Sequence, residues 1–296
     1  MPGFRAGFIG IVGQTNVGKS TFLNAVMGEK LLISSPRPQS TRVAVRCILT
    51  REDAQLVFVD TPGLHHPRNR LGQSLQREAR RSVRELDVIA YMTVAHGKVA
   101  PFDREQLERL SELDKPLVLL VNKIDRAKGN ELEETLLAYA AFEALRDLVP
   151  VSATRRLGLR EAVETLILHL PERPLVFPAE VRCDRPETFL VEETIREKAI
   201  EATYDELPYA LAVRVQWMRE REDGLMEIRA EILVNRESQK AIIIGRKAEG
   251  VRRVGMRARA DLERLLGRRV FLDLHVSARP GWTASERDIR ELTGAQ

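Results

Sequence analysis

Cysteine is nearly absent: Cys47 and Cys183 are the only two in 296 residues. Two thiols so far apart in sequence suggest neither a disulfide framework nor a metal cluster, and the expected compartment is a reducing cytoplasm. Long hydrophobic runs are also missing. No apolar stretch approaches the ~18 residues that a membrane-spanning helix needs. The N-terminus carries one early basic residue, Arg5, but its apolar run ends in a glycine-rich loop, so no secretory signal is expected. Internal repeats and low-complexity segments are lacking as well. What remains is ordinary soluble-protein material, 44% hydrophobic and 30% charged, enough for one large or two modest domains.

The formal net charge is only +4, but it is unevenly placed. Between Lys240 and Val270 ten basic residues face three acids, Glu249, Asp261 and Glu263, so this window carries +7 and the remainder −3. A basic patch on a near-neutral chain suggests a polyanion partner at that place. The alternative is a solvated helix face rich in arginine. Charge alone leaves both open, because Arg outnumbers Lys 38 to 9 throughout.

The strongest signal is Gly13-Gln14-Thr15-Asn16-Val17-Gly18-Lys19-Ser20, followed by Thr21. An apolar run, Phe8 to Val12, precedes it and reads as a buried strand; a helix-compatible stretch, Phe22 to Met27, follows. Strand, glycine loop and helix start together make an anion site. Backbone N–H groups turn inward onto a polyphosphate, and the helix N-terminus adds partial positive charge. Lys19 is expected to reach the β- and γ-phosphates, and the Ser20 hydroxyl to ligate Mg²⁺.

Residues 4–170 alternate between strand and helix patterns. The expected strands are Phe8–Val12, Val43–Leu49, Leu56–Val59, Val88–Val94, Leu117–Val121 and Val149–Val151. Helices are expected over Asn69–Glu85, Phe102–Leu113, Leu132–Leu145 and Leu159–Leu170. The alternation predicts an α/β fold with a mostly parallel sheet, whose ligands sit beyond the carboxyl ends of the strands. Three further motifs fall at such ends. Asp60-Thr61-Pro62-Gly63 offers a carboxylate to Mg²⁺ and a Gly63 N–H to the γ-phosphate, although it is also a good turn sequence. Asn122-Lys123-Ile124-Asp125 offers a carboxylate to guanine N1–H and the 2-amino group, a pair of donors that adenine lacks. There Asn122 would brace the loops and the Lys123 stem would lie over the ring. Ser152-Ala153-Thr154 supplies N–H groups to the guanine O6, a motif with little weight alone.

These four stretches, in this order, resemble the translation-factor-like GTPases. The resemblance implies a switch segment over Ser34–Arg42, in which Thr41 meets Mg²⁺ and the γ-phosphate, with Ser40 as the nearby alternative. A second switch would run from Asp60 through His65 and His66. Ras-like members carry Gln directly after the Asp60-type motif to orient water. Leu64 stands there and cannot hydrogen-bond, so slow intrinsic turnover or another water-positioning group is expected. GTPases that lack this Gln often use Asn at the Asn16 position to hold K⁺ in place of an arginine finger. Asn16 is also simply a good turn residue. The histidines read more readily as solvated loop residues than as a general base.

Three prolines in residues 171–178 mark a linker, separating a GTPase domain, residues 1–170, from a second domain, residues 179–296. The second domain reads as helix Pro186–Ala202, strands Ala210–Met218 and Met226–Val234, helices Ser238–Ile244 and Val251–Leu266, and strand Val270–Val276. With Ile244-Gly245-Arg246-Lys247-Ala248 between two helices, this order resembles a type II KH domain, a small α+β fold that binds RNA. Arg252 and Arg253 follow the loop and are expected to meet phosphates. The family loop is G-x-x-G; here the fourth position is Ala248.

A GTPase domain followed by a KH domain resembles the Era GTPases, over nearly the whole chain. Ser238-Gln239-Lys240 and Gly281-Trp282 add to the likeness. The resemblance implies GTP and GDP as ligands with Mg²⁺, a monomer, and RNA from the 3′ end of small-subunit (16S) ribosomal RNA. It further implies a role in maturation and assembly of the small (30S) subunit, and peripheral contact with the inner face of the membrane. Two rival readings are a membrane-docked GTPase with no RNA affinity, and a P-loop kinase or ATPase, against which Asn122–Asp125 argues.

Overall fold

The computed structural model describes residues 3–34, 41–60, 85–203 and 207–293, without the side chains of residues 208 and 209. Nearly all of the helix expected at 69–85 lies outside the described residues, as do Ser40, Thr61, Pro62, Gly63, Leu64, His65 and His66. The described chain divides into two compact units. One holds residues 3–32, 44–60 and 85–184; the other holds residues 33–34, 41–43 and 185–293.

The first unit is α/β. Its elements are β1 (Arg5–Gly13), α1 (Lys19–Met27), β2 (Val45–Thr50), β3 (Ala54–Asp60), β4 (Val88–Val94), α2 (Pro101–Ser111), β5 (Leu117–Asn122), α3 (Glu131–Ala140), β6 (Leu145–Pro150) and α4 (Leu159–Leu168). The sheet order is β2-β3-β1-β4-β5-β6. All neighbours are parallel except β2 and β3, which are antiparallel. Every residue of β3 and β5 is buried, as strands covered by helices on both faces require. One element differs from the sequence expectation. The helix expected to reach Leu145 stops at Ala140, and Leu145 instead opens β6. As an edge strand, β6 keeps Arg146 exposed and buries only Val149 outright, so its hydrophobic pattern is too weak to read.

The proline-rich stretch lies along this unit. Arg173 N–H donates to Phe4 O at 3.1 Å, and Ala6 N–H to Pro171 O at 3.1 Å. The buried Gln55 side chain accepts from the N–H groups of Val176 and Phe177 and donates to Phe177 O. Proline removes backbone donors, and a buried amide that gives three of its bonds to this stretch fixes the chain instead.

The second unit contains α5 (Glu187–Glu201), β7 (Ala212–Glu220), β8 (Met226–Val234), α6 (Glu237–Ile244), α7 (Glu249–Leu266), β9 (Val270–Ala278) and α8 (Glu286–Thr293). Strand order is β7-β8-β9, with β7 antiparallel and β9 parallel to β8. The crossover from β8 to β9 runs through α6 and α7. On α7, Val254, Ala258 and Leu262 bury the 3.6-residue stripe against Ile195, Ile228 and Ile232. The element missed from sequence is α8, whose eight residues carry only two large apolar side chains, Ile289 and Leu292. It closes over Trp282, which is fully buried and donates its indole N–H to Ala210 O at 3.1 Å. Burying an indole removes roughly 200 Å² from water, about 5 kcal/mol at 25 cal/mol per Å².

Candidate nucleotide and nucleic-acid sites

The turn from β1 into α1 holds the glycine loop. Lys19 is buried, and its ammonium bends back to donate to Gly13 O at 3.1 Å and Gln14 O at 2.9 Å. Burial lowers its pKa from 10.5 to about 8, against the opposing pull of Asp60. A desolvated cation aimed into a loop of backbone N–H groups is a site for an anion. Beside it, the Ser20 hydroxyl donates to Asp60 Oδ2 at 3.0 Å, and Asp60 at the end of β3 is fully buried. A hydroxyl and a carboxylate are hard oxygen donors. This pair fits Mg²⁺, which completes its shell with water and phosphate oxygens rather than with an all-protein cage.

The base-binding motifs meet the same loop. Asn122 is buried at the end of β5; its amide donates to Val17 O at 2.8 Å, and its carbonyl accepts Ala153 N–H at 3.1 Å. A Cβ on Gly18, which has φ 108°, would come within 2.3 Å of the Asn122 amide nitrogen, so only glycine permits this approach. Lys123 reaches back to Asn16 O at 2.6 Å. Asn16 itself has φ 65°, a left-handed conformation that asparagine tolerates, and its side chain is exposed. Ser152 Oγ donates to Asp125 Oδ1 at 2.5 Å, and this bond holds the Asp125 carboxyl below its usual pKa. Thr154 Oγ1 lies 3.5 Å from Ser152 Oγ. The chain thus brings Gly13–Thr21, Asp60, Asn122–Asp125 and Ser152–Thr154 to one end of the parallel strands. Thr41, expected at the same metal, groups with the second unit, beside Ile33 and Arg42. Ile33 belongs to that unit's core, while Arg42 is buried, donates to Leu211 O at 2.5 Å and lies over the Trp282 ring.

Sequence reading missed one polar centre. Asp103, in the first turn of α2, is buried and accepts from Tyr91 at 2.7 Å, Thr93 at 2.6 Å and Tyr139 at 2.6 Å. It also accepts from the Gln14 amide at 3.0 Å, which ties the glycine loop to the core. Asp103 looks like an ordinary dipole-favoured acid at a helix start, and nothing local announces that β4 and α3 aim hydroxyls at it.

In the second unit, Gly245 has φ 69° and ψ −179°, a conformation open essentially to glycine alone. Lys247 and Ala248 both follow in the left-handed region, at φ 47° and 61°. Ala248 therefore occupies the fourth loop position with the backbone shape that glycine would supply. The left-handed form costs an L-residue about 1–2 kcal/mol, and the looser unfolded chain of a glycine variant returns about 0.4–1. Ala248→Gly is accordingly expected to stabilise the protein by about 0.5–1 kcal/mol, read from the urea midpoint of the transition followed by tryptophan fluorescence.

The basic window divides in two. Arg257, Arg259, Arg264, Arg268 and Lys240 face Glu201, Glu263, Asp261, Glu220 and Glu237 within 4.0 Å. Among the described residues, Arg246, Lys247, Arg252 and Arg253 have no such ion pair, and all four are exposed. A fifth unpaired cation, Arg269, is exposed beyond α7 and reaches only Asp223 O at 3.5 Å; the other charges left over are those at the loop and the first turns of α7. A cleft of about 240 Å³ opens there, whose lining includes Thr203, Ile242, Gly245, Arg246 and Arg253, with one acid, Glu249, among them. Ile242 is 63% exposed, an apolar platform beside the cations. Among the described residues, no helix is long and apolar enough to cross a membrane.

Residues 8–123 match the family model of the 50S ribosome-binding GTPases, and residues 206–283 that of the KH domain. GTPase Era of Geotalea uraniireducens is 43% identical over 289 residues, covering 98% of this chain and 97% of its own. Among solved structures, an Aquifex aeolicus Era variant bound to GDP and AlF4⁻ superposes with a TM-score of 0.94 at 36% identity, covering 99% of this chain and all of its own. Era in complex with MgGDPNP and nucleotides 1506–1542 of 16S ribosomal RNA gives 0.93 at the same identity and coverage. With both domains matched in sequence and in fold along almost its entire length, the chain belongs to the Era family: a GTPase whose α/β nucleotide domain is followed by an RNA-binding type II KH domain.

Proposed function

We propose that this GTPase couples its nucleotide state to binding of the 3′ end of 16S ribosomal RNA, and so acts in maturation and assembly of the small subunit. The observation that carries the reading is the set of four exposed cations without acidic partners at the Gly245 loop, beside an open cleft, on a chain that also brings its phosphate loop, Asp60 and the guanine-reading motifs to one end of a parallel sheet. The relative solved with 16S nucleotides supports the choice of RNA. In this reading the Asp125 carboxylate, oriented by Ser152, accepts from the guanine N1–H and 2-amino group. The Thr154 N–H faces O6, the Ala153 N–H being already given to Asn122. Lys19 and the loop N–H groups, from Gly13 to Thr21, take the charge that grows on the phosphates as water attacks the γ-phosphorus. Ser20 and Asp60 would hold Mg²⁺, which neutralises phosphate charge when bound. Thr61, Pro62 and Gly63, which lie outside the described residues, are assigned to the γ-phosphate by the family motif alone. The protein works as a cytoplasmic monomer, and any contact with anionic membrane is peripheral.

Two expectations follow at the phosphate site. A bound polyanion raises the Lys19 pKa, so nucleotide binding takes up a proton above pH ~8 and weakens as pH rises further. Calorimetry at pH 8.5 in buffers of different ionisation enthalpy reads that uptake directly, and Lys19→Ala should abolish it. The apo protein shows the opposite trend. Its folded pKa lies below 10.5, so the burial penalty is present in full below pH ~8 and is relieved as pH climbs to 10.5. If Asn16 holds K⁺ beside the phosphates, turnover in KCl exceeds turnover in matched NaCl. Equal rates leave Asn16 as the turn residue that its φ of 65° already explains.

The deciding experiment measures binding to an oligonucleotide from the 3′ end of 16S RNA against a scrambled control, with a non-hydrolysable GTP analogue, with GDP and without nucleotide. Selective binding that changes with nucleotide is expected. Equal, weak, salt-sensitive binding to both RNAs would remove the RNA from the proposal.

A further inference from the structure

The only two cysteines of the chain meet. Cys47 sits in the middle of β2, and Cys183 is its antiparallel bridge partner, 136 residues later. The flanking bonds define the kind of pair. Asp184 N–H donates to Arg46 O at 3.1 Å, and Ile48 N–H donates to Arg182 O at 2.9 Å. Bonds made by both neighbours and not by the pair itself mark a non-hydrogen-bonded site, where Cα atoms stand about 4.5 Å apart and side chains lie closest. That spacing falls within the roughly 4.4–6.8 Å that a disulfide spans. Side chains of both partners of such a pair leave the same face of the ladder.

We propose that Cys47 and Cys183 form a reversible intramolecular disulfide when the cell is oxidised, fastening residues 182–184 covalently to the outer edge of the sheet. In the structure both are thiols, Cys47 fully buried and Cys183 partly exposed. The exchange therefore starts at Cys183. Its thiolate, having lost a proton to solvent, attacks one sulfur of a small-molecule disulfide; that S–S bond breaks and a first thiolate leaves, to be protonated. Cys47 then gives up its proton and attacks the Cys183 sulfur of the mixed disulfide, expelling the second thiol. One dithiol and one disulfide become one intramolecular disulfide and two thiols, and the electrons balance. Burial, followed by Cys183, Asp60, Asp184 and Glu29, pushes the Cys47 thiol up, so the second step is the slow one.

The segment it would fasten is already clamped by charge. Asp184 accepts Arg46 N–H at 3.0 Å and pairs with the Arg46 guanidinium at 3.4 Å, while Arg182 donates to Met27 O at 2.7 Å and pairs with Glu29 at 3.0 Å. Asp184 is the last residue of the first unit. Oxidation would convert a clamp that salt and local fraying can open into one that only a reductant opens.

The test treats the full native chain with oxidised glutathione and reads thiols in denaturant, intact mass, and peptides. Both thiols should be lost, with no glutathione retained, a mass lower by two hydrogen atoms, a peptide joining Cys47 to Cys183, faster migration on a non-reducing gel, and full reversal by dithiothreitol. Cys47→Ser should stop at the glutathione adduct on Cys183, and Cys183→Ser should leave Cys47 unmodified. A wild-type chain that keeps glutathione on Cys183 with Cys47 still titratable overturns the proposal, and so do dimers linked through Cys183. The wild-type result stands whether or not either variant folds.

Discussion

Asp103→Ala should destabilise the nucleotide-binding unit by about 4 kcal/mol. The alanine leaves three buried hydroxyls, those of Tyr91, Thr93 and Tyr139, and the Gln14 amide without their acceptor. Each orphaned donor costs roughly 1–3 kcal/mol, and the contact of 3.3 Å between Thr93 and Tyr139 recovers part of the total. Asp103→Asn keeps one acceptor oxygen and should cost about half as much. Both tryptophans, Trp217 and Trp282, lie in the second unit. Urea unfolding must therefore be followed by far-ultraviolet circular dichroism for this transition, with tryptophan fluorescence as the internal control that should not move. A two-unit chain is not assumed to unfold in one step. Nucleotide affinity should fall together with stability, because Gln14 belongs to the glycine loop. Gln14→Ala should separate the two effects, weakening nucleotide binding while leaving the three hydroxyl bonds in place. A loss below about 1 kcal/mol for Asp103→Ala would mean that the network is not what holds the loop.

The second large effect concerns RNA. Reversing Arg246 and Lys247 together to Glu should lower affinity for the 16S oligonucleotide at least about 30-fold near 0.1 M salt. It should also flatten the dependence of log K on log salt by about 1.4, two contacts at roughly 0.7 each for single-stranded nucleic acid. Reversing Arg264 and Arg268 removes the same formal charge from the same sequence window. Those two already face Asp261 and Glu220, so the salt slope should change by less than half as much. Fluorescence anisotropy across a KCl titration measures both pairs, and GTP turnover without RNA should be unchanged in all of them. Equal losses would show that RNA responds to net charge rather than to the Gly245 loop.

Much of the fold is readable along the chain because its signals are local. The glycine loop needs a preceding buried strand and a following helix, and Phe8–Val12 and Phe22–Met27 provide both within a few residues. The strands Val88–Val94 and Met226–Val234 have the same ends in sequence pattern and in structure, since a nearly continuous buried run and a run that alternates before an apolar end leave little freedom. Failures came where burial is partial. The edge strand β6 hid behind Arg146 and Asp147, and α8 is too short and too charged to show a stripe.

The basic window shows the same boundary from the side of charge. Composition gave ten cations against three acids, but half of those cations are matched by acids from inside and outside the window, such as Glu201 and Glu220. Which cations remain for a polyanion is a question of pairing across elements, and no count along the chain can answer it.

By itself the sequence determined the chemistry of this protein: a phosphate loop, a guanine-reading carboxylate, two domains in order, and an arginine-rich helix after a glycine turn. Each is set by residue types at fixed short spacings, where backbone geometry leaves one arrangement. Only the tertiary structure decided which distant groups share a neighbourhood. It alone joined Gln14 to Asp103, oriented Asp125 through Ser152, left five of the ten cations without an acid, four of them at one loop, and set Cys47 against Cys183. Those contacts span tens to more than a hundred residues. They are fixed by strand register and helix packing, which depend on the whole chain closing over its core at once.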